Sequence, residues 1–121
     1  MMQLWVAPEI TKGGNRTAQS DIYSFGVLMS EMVNETLPYE EIDNKMSISY
    51  MVVTDPTFRP AIAQSKLEQG LSERERTVRR SQDMFLDLMR KCWEDDPHQR
   101  PHIGEVITKL KEVKELVRVS E

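Results

Sequence analysis

Ser20-Asp21-Ile22-Tyr23-Ser24-Phe25-Gly26-Val27 opens the stretch that decides the fold. Ser20 is a good N-cap, and Asp21 suits the positive end of a helix dipole. Together they predict a helix from about residue 21 to 34. Within it Ile22, Phe25, Gly26, Met29, Met32 and Val33 share one face, while Tyr23, Val27 and Leu28 add apolar groups on the others. A helix apolar on most sides is a core helix. Upstream, Leu4-Trp5-Val6-Ala7-Pro8-Glu9 is apolar and irregular, with Pro8 marking a turn or a first helical turn. Thr11-Lys12-Gly13-Gly14-Asn15 reads as a loop.

Downstream, Pro38 ends a turn, and Met46–Val53 is either a short helix or a strand, because eight residues do not fix a period. Asp55-Pro56 and Arg59-Pro60 frame a loop, and residues 61–80 are charged and weakly patterned. Ser72-Glu73-Arg74-Glu75 has capping-box spacing, which predicts a short helix starting there. Ser81 is expected to cap a separate helix reaching about Trp93, with Phe85, Leu88, Met89 and Cys92 on one face. Glu94–Pro101 is a polar loop. A last helix over about 103–117 places Ile103, Val106, Ile107, Leu110, Val113 and Val117 on one side, with Lys109, Lys111, Lys114 and Arg118 towards its C-terminal end.

The composition bounds the function. The chain has 121 residues, enough for one small domain. Hydrophobic residues at 39% against 30% charged describe a globular chain rather than a disordered one. A net charge of −4 argues against a nucleic-acid surface. The Arg74, Arg76, Arg79, Arg80 cluster alternates with Glu73 and Glu75 and lacks interleaved aromatics, so it reads as solvated surface. The one cysteine, Cys92, allows no intrachain disulfide and fits a reducing compartment. Asn15 and Asn34 begin Asn-x-Thr sequons, which matter only in a secreted chain. No apolar run approaches the roughly 20 residues that span a bilayer.

Three separated segments carry a resemblance. Ala7-Pro8-Glu9 follows Leu4-Trp5-Val6, the Ser20–Val27 stretch opens the buried helix, and Cys92-Trp93-Glu94-Asp95-Asp96-Pro97-His98-Gln99-Arg100-Pro101 links the last two helices. In this order and spacing they resemble the C-terminal lobe of protein kinases, over roughly residues 3–117. The resemblance implies a mainly α fold, the helical lobe of the kinase-like fold in incomplete form, as one partial domain over residues 1–121. It also implies that the glutamate of Ala-Pro-Glu, here Glu9, pairs with the arginine before the late proline, here Arg100. Arginine suits that task because its planar fork meets a carboxylate bidentately. Asp21 resembles the aspartate that accepts backbone N–H bonds from the family's catalytic loop. Trp93 resembles the tryptophan anchoring the late loop, and Gly26 and Pro101 complete the structural set. Leu4-Trp5-Val6 resembles the loop that receives the substrate residue after the phosphorylated one.

The chemistry of phosphoryl transfer needs a glycine-rich loop, a phosphate-binding lysine, a catalytic aspartate and a metal-binding aspartate. None has a counterpart in this sequence. Gly13-Gly14 forms no Gly-x-Gly-x-x-Gly loop, Ser24-Phe25-Gly26 lies inside the central helix, and His98-Gln99-Arg100 is not His-Arg-Asp. Glu94-Asp95-Asp96 and Glu40-Glu41-Asp43 lack the alternation and glycine of a calcium loop and read as solvated faces. The expectation is a chain with no catalytic, cofactor or metal residue of its own. ATP and Mg belong to a complete active parent whose missing parts lie upstream of Ala-Pro-Glu.

Finer features divide the branches. Met1 and Met2 stand where serine/threonine kinases often carry Gly-Thr, and Cys-Trp before Asp-Pro-x-x-Arg-Pro is similar to tyrosine kinases and tyrosine-kinase-like kinases. Leu-Trp-x-Ala-Pro-Glu, Asp-Ile-Tyr-Ser-Phe-Gly and Phe58-Arg59-Pro60 together look most like the kinase-homology domain of receptor guanylyl cyclases, which regulates rather than phosphorylates. Three readings follow: a piece of a catalytic kinase, part of a regulatory pseudokinase domain in such a receptor, or a non-catalytic binding or decoy module. In each the chain works in the cytoplasm or on the cytoplasmic side of a membrane receptor. Its partner is a protein or the missing N-terminal half of the domain. The central helix is then expected to expose part of its apolar surface, and the isolated chain to be marginally stable or partner-dependent.

Overall fold

The computed structural model describes residues 3–63 and 70–119. Among these residues there are helices and loops and no strand. A 3-10 turn at Gln3–Trp5 leads into α1 (Pro8–Thr11), α2 (Ala18–Asn34), α3 (Met46–Thr54), α4 (Glu73–Cys92), a second 3-10 turn at Pro97–Gln99, and α5 (Ile103–Val119). This is the mainly helical lobe anticipated from the three motifs.

Helix α2 starts three residues earlier than its sequence suggests. Thr17 is the N-cap, and Ser20 takes the third helical position. The Ser20 N–H donates to Thr17 Oγ1 at 3.1 Å, and the Thr17 N–H donates to Ser20 Oγ at 2.8 Å. The reciprocal pair satisfies two orphan donors, a capping box with serine in place of the usual glutamate or glutamine. Glu35 ends α2 at φ 55°, its N–H bonded to Glu31 O at 2.8 Å.

Helix α4 is longer than expected. Ser72 caps it through a box with Glu75, Glu73 and Glu75 sit in the first turn, and Arg90 and Lys91 sit in the last. These charges match the dipole at both ends. The helix then runs without interruption to Cys92, so the boundary expected at Ser81 does not exist. Ser81 is buried in mid-helix and its hydroxyl donates to Val78 O at 2.6 Å, which removes the reason to cap a new turn. The undecided segment 46–53 is helical, as α3.

Helix α4 packs against both α2 and α5. The core joins Ile22, Tyr23, Val27 and Met29 of α2 to Leu88, Met89 and Cys92 of α4 and Val106 of α5. The α2–α4 crossing is close at Gly26, where an added Cβ would lie 2.9 Å from Cys92 Cβ and 3.1 Å from Met89 O. Helix α3 buries Ile48 and Val52 and neighbours α1 and the first 3-10 turn. Asn34 holds the loop after α3: its Nδ2 donates to Ala61 O at 2.7 Å, and its Oδ1 accepts from the Ala63 N–H at 3.1 Å.

Two apolar faces are only partly buried, as expected for α2 and less than periodicity predicts for α5. On α2, Met32 is 61% exposed and Leu28 42%. On α5 only Val106 is fully buried, with Leu110 and Val113 half-buried and Ile103, Ile107 and Val117 exposed. The periodicity marks apolar residues, and among the described residues α4 is the only principal packing partner of α5. No helix of the described residues is long and apolar enough to cross a membrane.

Candidate functional site

The late loop and the start of the chain meet at one guanidinium. Arg100 has a fully buried side chain, and its five N–H donors all have partners. Nη1 donates to Glu9 Oε2 at 2.7 Å and to Gln19 O at 3.0 Å. Nη2 donates to Glu9 Oε1 at 2.9 Å and to Asp95 O at 3.1 Å, and Nε donates to Glu94 O at 2.7 Å. Lysine, a point charge with three rotatable donors, could not replace this fork. Burial raises the Glu9 carboxyl pKa, but the hydrogen bond from Arg100, the Glu9 backbone N–H and the charges of Arg100 and Lys12 together hold it below its usual value. The pairing of Glu9 with Arg100 therefore appears in the geometry as the motifs anticipated.

Each partner is placed by its local structure. Glu9 follows Pro8, which opens α1 with its φ already suited to the helix. The 3-10 turn at Pro97–Gln99, capped by the Asp96 side chain on the His98 N–H, aims Arg100 inwards. Gln19 clasps the same loop from α2: its Nε2 lies 3.1 Å from Arg100 O, 3.3 Å from Pro101 O and 3.4 Å from Pro97 O.

The Tyr23 ring is the platform under this cluster. Arg100 Cζ lies 5.0 Å from its centroid and Arg59 Cζ 5.2 Å. Each cation–π contact contributes about 0.5–2 kcal/mol. Burial raises the Tyr23 hydroxyl pKa against the pull of both guanidinium groups, so the neutral ring faces the cations. Arg59 Nε donates to Trp93 O at 2.9 Å, and its Nη2 faces Asp95 Oδ1 at 3.5 Å, an ion pair without a hydrogen bond. Neighbouring Phe58 stacks on Tyr39 with centroids 5.3 Å apart and planes 6° from parallel. Trp93, Ala7 and Pro101 are buried beside this network.

The Leu4-Trp5-Val6 loop rests on α2. Ser24 Oγ donates to Trp5 O at 2.6 Å, and Trp5 Nε1 donates to Glu31 Oε1 at 3.2 Å. All three residues are half-buried. Beside the loop a small hollow of about 120 Å³ is lined by Val6, Ala7, Ile10, Arg16, Ser20, Asp21 and Ser24. Asp21 is exposed there and accepts from Arg16 Nε at 2.8 Å and Nη2 at 3.3 Å. At that exposure the pair contributes little to stability.

The structure thus brings Glu9, Arg100, Pro101 and Trp93 into one cluster, with Gly26 at the helix crossing beneath, and sets Val6 and Asp21 around a neighbouring hollow, with Leu4 and Trp5 outside it. Sequence reasoning missed Gln19, the sandwich on Tyr23 and the Arg16–Asp21 pair. Gln19 carried no signal, since a first-turn glutamine is ordinary. Two arginines close to a helical tyrosine become visible only after folding. The expectations attached to Met1 and Met2 lie outside the described residues.

Comparison with known proteins gives a consistent result. A family model described as protein tyrosine and serine/threonine kinase matches residues 1–110. The chain is 30% identical over 118 residues to a probable serine/threonine-protein kinase of Dictyostelium discoideum, covering 98% of this chain and 6% of that protein. It is 32% identical over 118 residues to a protein kinase and PP2C-like domain-containing protein of Arabidopsis thaliana, covering 95% and 18%. Human mitogen-activated protein kinase kinase kinase 10 is 29% identical over 111 residues, covering 92% and 10%. The chain therefore spans less than one fifth of each of these relatives.

Proposed function

This chain belongs to the protein tyrosine and serine/threonine kinase family, and from that premise we propose that it is the C-terminal lobe of a kinase domain whose complete parent phosphorylates protein side chains with ATP. The observation that carries this reading is the fully bonded Arg100–Glu9 clasp, which ties α1 to the late loop, while the Ser24–Trp5 bond holds the Leu4–Val6 loop on α2. In this reading Leu4, Trp5 and Val6 form part of the wall that receives the substrate peptide. The hollow at Asp21 seats the catalytic loop of the complete domain, whose backbone N–H groups take the place of Arg16.

The chain alone is not catalytic in this proposal. The phosphate-binding lysine, the catalytic aspartate and the metal-binding aspartate come from the rest of the parent, together with ATP and Mg. The parent works in the cytoplasm or on the cytoplasmic side of a membrane. Serine/threonine specificity is favoured by the similarity to a probable serine/threonine-protein kinase, against the tyrosine-kinase-like flavour of the Cys92-Trp93 motif. The alternative of a regulatory pseudokinase domain in a receptor guanylyl cyclase rests on Phe58-Arg59-Pro60 and Leu-Trp-x-Ala-Pro-Glu. A non-catalytic binding or decoy module is the third reading.

End-to-end sequencing of the native transcript separates them. The kinase reading expects an upstream frame encoding the lysine, the catalytic aspartate and Asp-Phe-Gly. A downstream cyclase domain with an altered catalytic aspartate moves the assignment to the regulatory receptor. A transcript beginning at Met1 or Met2 moves it to the binding module.

A further inference from the structure

One residue ties the Leu4–Val6 loop to α2 at two points. Trp5 closes the first 3-10 turn and is half-buried. Its carbonyl accepts from Ser24 Oγ at 2.6 Å, and its indole N–H donates to Glu31 Oε1 at 3.2 Å. Ser24 and Glu31 stand two helical turns apart on α2, on one face, separated by about 10 Å along the axis. The backbone of Trp5 is thus fixed towards one end of that stretch and its indole towards the other. Ser24 Oγ also lies 3.3 Å from Ser20 O, the back-bond usual for a mid-helix serine, but its short bond leaves the helix for Trp5.

The needs of α2 do not explain a glutamate at this position. Glu31 lies in the last turn, where the negative end of the dipole disfavours a carboxylate, and that turn carries no basic residue. It is half-buried, and among the described residues it has no ion pair. Partial burial of a carboxylate is unfavourable unless hydrogen bonds offset it. The Trp5 indole supplies such a bond, and a charged acceptor makes it stronger than a neutral one would. The indole gains as well, because its N–H is a donor that needs a partner once the ring packs against protein.

We propose that Glu31 is a positioning residue for the substrate peptide: by holding the Trp5 indole it sets the orientation of the Leu4–Val6 wall. The proposal rests on the kinase reading above, in which that wall receives the peptide. Glu31 acts through Trp5 and touches neither the reacting atoms nor the nucleotide. Its contribution therefore falls on peptide binding and leaves the chemical step alone. Ser24 fixes the backbone of the same wall, so loss of Glu31 frees the ring without releasing the loop.

The test is phosphate transfer by the full-length native protein to the peptide that the wild type phosphorylates best in an arrayed library. Glu31→Ala should raise KM for that peptide about fivefold or more, the worth of one lost hydrogen bond, with kcat and KM for ATP within about twofold of wild type. Glu31→Gln keeps an acceptor and should restore KM to within about threefold. Trp5→Phe keeps a ring and lacks the N–H, so adding Glu31→Ala to it should change KM no further. In this chain the Trp5 indole N–H resonance, assigned by its loss in Trp5→Phe, should move and exchange faster in Glu31→Ala, with helix content unchanged by circular dichroism. An unchanged KM in an active Glu31→Ala protein overturns the proposal while leaving the kinase reading intact. A Gln variant as impaired as the Ala variant also overturns it, since charge rather than the indole bond would then be at work, as do additive effects of the Trp5 and Glu31 substitutions. A folded wild type that transfers no phosphate to any peptide refutes the kinase reading, and this proposal with it.

Discussion

Replacing Glu9 by glutamine keeps its shape, removes its charge and leaves Arg100 as a buried cation without a counter-ion. The Arg100 side chain is fully buried, while that of Glu9 is 26% exposed. Breaking a buried pair from one side costs about 3–5 kcal/mol, and the partial exposure of Glu9 points to the low end, about 3 kcal/mol. For a chain of this size that loss lowers Tm by roughly 10–15 °C. Arg100→Met should cost at least as much, although apolar replacement of an ion pair is often neutral. The carbonyls of Gln19, Glu94 and Asp95 would lose their donor as well.

The assay is thermal unfolding followed by the fluorescence of Trp5 and Trp93, with trimethylamine oxide added if a variant needs help to reach a folded baseline. The pH dependence supplies an internal check. Folding lowers the Glu9 pKa, because the pulls of Arg100, the backbone N–H and Lys12 outweigh the opposing burial. The stabilising contribution is therefore present above the unfolded carboxyl pKa of about 4.3 and is lost as pH falls through the lower folded value. The gap between wild type and Glu9→Gln should be constant near neutral pH and close in acid. A gap under about 1 kcal/mol at neutral pH, the range of exposed pairs, would refute the reasoning.

Three further outcomes follow from the packing. Gly26→Ala should destabilise by about 1–3 kcal/mol in denaturant titration despite alanine's better helix propensity, because its Cβ meets Cys92 Cβ at 2.9 Å. Gly104→Ala, with nothing within 4 Å of the added atom, should be neutral or stabilising, and equal effects at the two sites would contradict this account. Thr17→Ala should cost about 1 kcal/mol and speed amide exchange in the first turn of α2, whereas a cap at Ser20 would leave that turn unchanged. Burial pushes the Cys92 thiol pKa up to about 11, so iodoacetamide at mildly alkaline pH should label the folded chain far more slowly than the denatured one. Rapid labelling of the native chain would place the thiol outside the core.

Much of the lobe was legible because it is written in short-range signals. The apolar run of α2, the Ser72–Glu75 box and the paired prolines of the late loop each carry a local physical reason. Where two signals competed, the sequence reading stopped short. Ser81 resembles a cap only when the helix passing through it is not yet known, and Ser20 outranks Thr17 until the reciprocal bonds are seen. Exposure is the weakest part, since periodicity identifies the apolar face of α5 but not whether anything covers Ile103 and Ile107. The Glu9–Arg100 pair was readable only through the resemblance, because the partners are 91 residues apart and no local pattern joins them. Gln19 and the cation–aromatic stack on Tyr23 depend on the folded crossing of three segments.

The most direct test of the central proposal is transfer of labelled γ-phosphate from ATP to a protein substrate by the purified full-length native protein in the presence of Mg. The account predicts transfer that requires Mg and drops when Trp5→Ala disturbs the peptide-facing loop, with the fold retained. A folded full-length protein that transfers no phosphate to any of a broad set of protein and peptide substrates would contradict it.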